Sequence, residues 1–149
     1  MKRLEKAPLP TKYGDFEMYA YKSDFKDFPH VVLFGKTTYS TLPAVRVHSE
    51  CMTGDVFSSA RCDCGEQLDA SMAYVSKYGG LVIYLRQEGR GIGLVKKLSA
   101  YNLQDQGLDT YEANEKLGLH QDNRNFVVAA DILKDLGIST INLLTNNPD

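Results

Sequence analysis

Residues 44–85 read AVRVHSECMTGDVFSSARCDCGEQLDASMAYVSKYGGLVIYL, and the order of patterns inside this stretch sets the expected fold. Val45 and Val47 alternate with Arg46 and His48, the period of a strand with two different faces. Such a strand buries the valines and aims Arg46 and His48 at one common face, directly before Cys51. Leu68, Met72 and Val75 then recur at helical spacing, and Gly79 with Gly80 stops that helix. Residues 81–85 are a continuous apolar run, as suits a buried strand. Strand, helix and strand in that order predict an α/β domain.

The same stretch holds all three cysteines, Cys51, Cys62 and Cys64, spaced C-x10-C-x-C. A disulfide framework needs an even count, so one would be left over. Thiolates are good zinc ligands, and catalytic zinc takes three protein ligands while keeping a fourth position open. The spacing therefore reads as an open metal site. A closed, structural site would need a fourth protein ligand, for which His48 is the candidate. Free cysteine also serves as a small core residue, but clustering within fourteen residues among Arg, His, Glu and Asp favours the metal.

Working outward, the first dozen residues, with Pro8 and Pro10, read as an arm, and Gly14 with Asp15 as a turn. Phe16, Met18 and Ala20 alternate like a half-buried strand, and residues 31–34 form a second short strand. No helix separates these early strands, so antiparallel pairing is expected there and the sheet should be mixed, flanked by helices. On the other side, the turn QEGRGIG at 87–93 opens a helix whose Leu94, Leu98 and Tyr101 share a face, ended by Gly107. Asp109 or Thr110 can cap a short helix that stops at Gly118. HQDNRN at 120–125 reads as a polar loop. Phe126, Ala130, Leu133 and Leu136 make a helical stripe closed by Gly137, and 138–144 reads as another buried strand.

The chain's 149 residues, 43% hydrophobic and 24% charged, fit one soluble domain spanning 1–149. No apolar run reaches the ~18 residues of a membrane span, and MKRLEKAPLPTKYGDF lacks the apolar region of a secretory signal. With three cysteines, this points to a reducing, cytoplasmic setting. A net charge of −2 excludes a broadly basic nucleic-acid surface. An anionic ligand would have to be held by local arginines, and five of the six lie between Arg46 and Arg124. Glycines in the 87–93 turn let backbone N–H groups approach a phosphate, with Arg90 to pair with it. Asp122 and Arg124, two apart, read as an ion pair or a catalytic dyad.

Together RVHSECMTGDVFSSARCDCGEQL, RQEGRGIGL, AYNLQDQGLDTYEAN, the D-x-R of HQDNRNF, and LLTNNP resemble GTP cyclohydrolase II of riboflavin biosynthesis, and PLPTKYGDF is similar to the start of that family's domain. The resemblance runs from about Pro8 to Pro148. It implies a mixed α/β domain, a homodimer, zinc, magnesium with the substrate phosphates, and GTP as substrate, with release of formate and pyrophosphate. It implies zinc on Cys51, Cys62 and Cys64. Arg46, Val47, His48, Ser49, Glu50, Gln67, Glu88, Gly89, Arg90, Thr110 and Thr145 would contact GTP. Asp122 would be proton acceptor, Arg124 nucleophile and Tyr101 a supporting catalytic group. The family chain continues beyond NNP with a lysine and further elements, so a missing C-terminal segment is expected after Asp149.

The residue types suit both halves of that chemistry. Three thiolates make a zinc site net anionic, so a nearby acid/base group, His48 or Glu50, would assist proton transfer. Guanidinium groups at Arg46, Arg90 and Arg124 suit phosphate. Arg124 could alternatively clamp transition-state charge while water attacks phosphorus. Two other functions stay open: a related hydrolase acting on another nucleobase compound, and a nucleotide-binding or regulatory domain with structural zinc.

Overall fold

The alternation around Val45 becomes the strand from which the site is built. The computed structural model describes residues 2–23, 28–35, 42–88, 93–107, 109 and 126–144. Among them run β1 (Arg3–Thr11), β2 (Gly14–Tyr21), β3 (His30–Gly35), β4 (Ala44–Ser49), α1 (Met52–Asp55), α2 (Cys64–Tyr78), β5 (Gly80–Leu85), α3 (Leu94–Asp105), α4 (Val127–Asp135) and β6 (Asn142–Leu143). The strands form one sheet in the order β1-β2-β3-β5-β4-β6. β1, β2, β3 and β5 pair antiparallel in succession, while β4 runs parallel to both β5 and β6. The mixed α/β sheet expected from the sequence is therefore present.

Both faces of the sheet are covered. On one, Tyr21, Val32, Val45, Leu81, Ile83 and Leu85 pack with Ala129 and Ile132 of α4. On the other, Phe16, Leu33 and Val82 pack with Val75 of α2, flanked by Leu68 and Met72. Each fully buried side chain of this kind contributes about 1.5–3 kcal/mol, and helices on both faces account for the near-continuous burial of β5.

The β4–α2–β5 unit ends in a close approach. Gly80, at φ 136°, lies opposite Ala44 across the parallel ladder, and a Cβ there would come within 2.0 Å of the Ala44 carbonyl oxygen. Only glycine allows both that backbone conformation and that spacing. The register sets Ser49 beside Leu85, and the Glu50 N–H donates to the Leu85 carbonyl at 2.8 Å. The C-terminal ends of two parallel strands thus lie together, where open α/β sheets place ligands.

Four expectations are corrected. The supposed N-terminal arm is β1, paired with β2 from Thr11↔Gly14 outward. Its prolines are accommodated because β1 is the outermost strand, which needs only part of its N–H groups for the ladder. In β2, Phe16 and Tyr21 are buried whereas Met18 is 36% exposed, since both faces of this sheet carry core. Residues 138–144 give only the two-residue edge strand β6, with both residues exposed. In α4 the buried pair is Ala129 and Ile132 rather than Phe126 and Ala130, a rotation of the stripe that leaves Phe126 exposed. The expected helix ending at Gly118 and the loop at 120–125 lie outside the described residues. Among those residues no helix is long and apolar enough to cross a membrane.

Candidate active site

Cys51 sits at the start of α1 and Cys64 at the start of α2, with Cys62 in the loop between them. Their three sulfurs lie within 4.8 Å of one another, Cys51 and Cys62 being 3.6 Å apart. The turn closes this tightly because residue 54 is glycine. A Cβ there would lie 2.8 Å from the Cys62 sulfur, 3.0 Å from the Cys64 Cβ and 3.3 Å from the Cys51 sulfur. Three converging thiols around a cleared space are a soft donor set that fits zinc. His48 is not part of that cluster, and among the described residues no other such group of metal-binding side chains occurs.

The thiols differ electrostatically. Burial pushes the Cys51 thiol up, but the Lys97 ammonium and the Gly54 N–H outweigh it and hold the thiol below its ordinary value. At Cys64 burial and the neighbouring Cys62 and Cys51 sulfurs act together and push the thiol far up. A metal dication would remove that mutual penalty by binding all three as thiolates.

Asp55 organises the floor of the site. Its Oδ1 accepts from His48 Nε2 at 3.0 Å, and its Oδ2 accepts from the Tyr84 hydroxyl at 2.7 Å and the Cys51 N–H at 3.0 Å. Burial raises the Asp55 carboxyl, yet the His48 and Tyr84 hydrogen bonds win and hold it below the usual carboxylate range. Burial and the Asp55 partner push the Tyr84 phenol well up. The other ring nitrogen of His48, Nδ1, is buried and has no partner among the described residues. His48 is also stacked on Tyr84, ring centroids 5.5 Å apart.

A second tie crosses from α3. Lys97 Nζ donates to the Cys51 sulfur at 3.1 Å and to Glu88 Oε1 at 2.6 Å, while Glu88 Oε2 accepts from the Met52 N–H at 2.8 Å. Burial lowers the Lys97 ammonium, but Glu88 and Cys51 more than compensate and push it up. Tyr101, one helical turn further along α3, places its hydroxyl 3.1 Å from Thr53 Oγ1, itself 3.7 Å from the Cys51 sulfur. Arg61 lies over the Tyr101 ring at 4.4 Å and donates to both oxygens of Asp105. Leu98, expected on the same apolar face as Tyr101, is 45% exposed. The Tyr101 hydroxyl is thus tied to Thr53, beside the cysteine cluster.

The remaining expected positions divide by the pleat of β4. Arg46 and His48 share one face: Arg46 donates to Gln67 Oε1 at 2.6 Å, and its buried Nε has no partner among the described residues. Burial pulls the Arg46 guanidinium below its ordinary value. Val47 packs on the opposite face, against the α4-side core. The Ser49 hydroxyl is buried without a partner among the described residues, and Glu50 Oε1 accepts from Arg86 Nε at 3.0 Å. Both Glu88 oxygens are engaged by protein donors. Gly89, Arg90, Thr110, Asp122, Arg124 and Thr145 lie outside the described residues.

Sequence reasoning passed over Asp55, Tyr84, Lys97, Thr53 and Gly54. Two of these carried a usable signal. Lys97 and Tyr101 are spaced i, i+4, so they share a helical face, and Asp55 stands four residues after Cys51, in the first turn of the helix that follows it. Thr53, Tyr84 and Gly54 carried none; a tyrosine in an apolar strand, for one, reads as core.

A family profile described as GTP cyclohydrolase II matches residues 2–149. The chain is 51% identical over 150 residues to a GTP cyclohydrolase-2 of Blochmanniella floridana, covering 99% of this chain and 75% of that protein. It is 52% identical over 143 residues to the riboflavin biosynthesis protein RibBA of Staphylococcus epidermidis (strain ATCC 12228 / FDA PCI 1200), covering 96% of this chain and 36% of that one. The chain thus spans little more than a third of the length of such RibBA relatives. The fold is similar to the crystal structure of RibBX, a two-domain 3,4-dihydroxy-2-butanone 4-phosphate synthase from A. baumannii, at TM-score 0.53 and 22% identity, covering 98% of this chain and 34% of that one. With three cysteines converging just beyond β4 and a family profile matched over residues 2–149, the chain belongs to the GTP cyclohydrolase II family.

Proposed function

We propose that this chain, as one domain, hydrolyses GTP in the first step of riboflavin biosynthesis. Both C8–N bonds of the imidazole ring break, each with uptake of one water, and C8 leaves as formate. Pyrophosphate leaves the α-phosphorus on attack by Arg124, and a third water then cleaves the resulting phosphorus–nitrogen bond, giving the ring-opened diaminopyrimidinone ribosyl phosphate and free Arg124. The observation that carries this reading is the convergence of Cys51, Cys62 and Cys64 beside the Tyr101–Thr53 pair in a chain of this family.

Cys51, Cys62 and Cys64 would hold zinc, which supplies Lewis-acid activation of water for attack on the electron-poor C8. Tyr101, oriented by Thr53 and Arg61, holds a proton near the reacting base. Arg46 and Gln67, joined at 2.6 Å, present guanidinium and amide donors to the nucleotide, with His48, Ser49, Glu50 and Glu88 as further GTP-contacting positions, whereas the Val47 side chain faces the core. Gly89, Thr110 and Thr145 are further GTP-contacting positions, Arg90 pairs with the phosphates, and magnesium neutralises them. Asp122 accepts the proton of Arg124 as Arg124 attacks the α-phosphorus. The working protein is a cytoplasmic homodimer.

The test is to incubate the zinc-loaded chain with GTP and Mg²⁺ and assay formate and pyrophosphate separately. Both products are expected; neither product would overturn the reading. A guanylyl adduct trapped on Arg124 is the expected signature of its role, and normal pyrophosphate release by Arg124→Lys would remove that role.

A further inference from the structure

Lys97 is the one cation that the described hydrogen bonds place on a cysteine sulfur, and its surroundings are built to keep it there. The side chain is only 12% exposed, and burying an ammonium is costly unless its protons are bonded. Two of its three donors are used, one on Glu88 at 2.6 Å and one on Cys51 at 3.1 Å. Glu88 is in turn anchored to the Met52 N–H, so both acceptors of Lys97 are tied to the same turn of chain. Three thiolates around a dication donate strongly and lower its Lewis acidity. A charge-assisted N–H···S bond draws electron density from one of those sulfurs, and partners of this outer kind tune a metal through its ligand.

We propose that Lys97 is a positioning residue of the metal centre, acting through Cys51: its ammonium restrains electron donation by that thiolate and holds the sulfur in the geometry the metal needs. The proposal rests on the reading of Cys51, Cys62 and Cys64 as metal ligands. It assigns to α3 a function in the metal site beyond presenting Tyr101.

Cobalt(II) bound in place of zinc tests this without reference to turnover, because the thiolate-to-cobalt charge-transfer absorption reports the energy of the sulfur electrons. In Lys97→Met the band should move to longer wavelength and Co²⁺ affinity should fall about 10–100-fold. Lys97→Gln, which keeps a donor but not the charge, should move the band the same way by less, and Lys97→Arg should bring it back towards that of the unaltered chain. Circular dichroism checks that each variant is folded. Should Lys97→Met not fold, Lys97→Gln decides alone. An unmoved band at full Co²⁺ occupancy in the folded uncharged variants would overturn the proposal. Failure of the unaltered chain to bind Co²⁺ would overturn it together with the metal reading. A shifted band in a chain that releases no formate would leave the role of Lys97 standing and remove only the proposed activity.

Discussion

In the antiparallel half of the molecule, Arg3 of β1 meets Asp135 at 3.0 Å with 38% and 31% of their side chains exposed. In the parallel half, His48 of β4 meets Asp55 at the same 3.0 Å with 2% and 3% exposed. The geometry is alike and the energetics are not. An exposed pair trades water for a partner at nearly equal free energy, whereas a buried one cannot lose a partner without stranding the other. The contrast extends beyond these pairs. β1 to β3 are joined by hairpin register and side-chain packing, while the end of β4 and β5 carries buried Asp55, Lys97 and Glu88, each bonded to a different segment. The site is therefore held by the groups most costly to disturb.

The strongest way to break this contrast is at the cysteines. Cys51→Ser should lose the metal and depress formate release by more than the ~10–100-fold typical of outer partners. It should keep pyrophosphate release, since the metal and Arg124 act on different ends of GTP in the proposed reaction. Metal analysis and separate product assays check both halves, and parallel loss of the two products would show one inseparable site.

Asp55→Ala comes next. It strands the His48 ring, the Tyr84 hydroxyl and the Cys51 N–H at once, so unfolding free energy from urea titration should fall by about 3–5 kcal/mol. A change below about 1 kcal/mol would mean that this network is not the frame of the parallel half.

Gly54→Ala should be milder and more selective. Its added methyl meets the Cys62 and Cys51 sulfurs, so metal affinity should fall about tenfold or more while overpacking costs stability about 1–3 kcal/mol. Comparable loss of metal affinity at Gly107→Ala, where a Cβ meets nothing within 4 Å and only the backbone at φ 101° is strained, would show that the effect is not specific to the sulfurs.

The smallest effects belong to the antiparallel half and appear only at extreme pH. Burial, then the Asp135 hydrogen bond, push the Tyr21 phenol up to about 12. A raised folded value favours the neutral phenol, so its stabilisation is complete below the ordinary tyrosine value near 10 and is lost as pH rises through about 12. The Tyr21 and Arg3 hydrogen bonds hold the Asp135 carboxyl low, and that contribution is complete above the ordinary carboxylate value and lost as pH falls through the lowered one. Tyr21→Phe should remove a late-ionising tyrosine from an ultraviolet phenolate titration, and Arg3→Ala should barely move the urea midpoint at neutral pH.

Much of the parallel half was legible because its signals are local. Val45 and Val47 against Arg46 and His48, the stop at Gly79 and Gly80, and the apolar run of β5 each follow from a period or a glycine within a few residues. The antiparallel half was less so. Pro8 and Pro10 suggested an arm, because nothing near them says that β2 lies alongside; an edge strand is defined by what it pairs with. The two-residue β6 shows the reverse error, since Ile138, Ile141 and Leu144 do pack against core without a strand of matching length.

By itself the sequence determined the α/β order of elements, the thiol spacing and the shared face of Arg46 and His48, because each is a property of backbone period over neighbouring residues. Only the tertiary structure decided that Lys97 on α3 reaches the Cys51 sulfur, that Tyr84 and His48 close on Asp55, and that Tyr101 turns to Thr53 rather than to a core. Those contacts join residues 29 to 48 positions apart, or set a short-range bond inside a buried frame, and they form only when β4 and β5 lie parallel and bring their ends together.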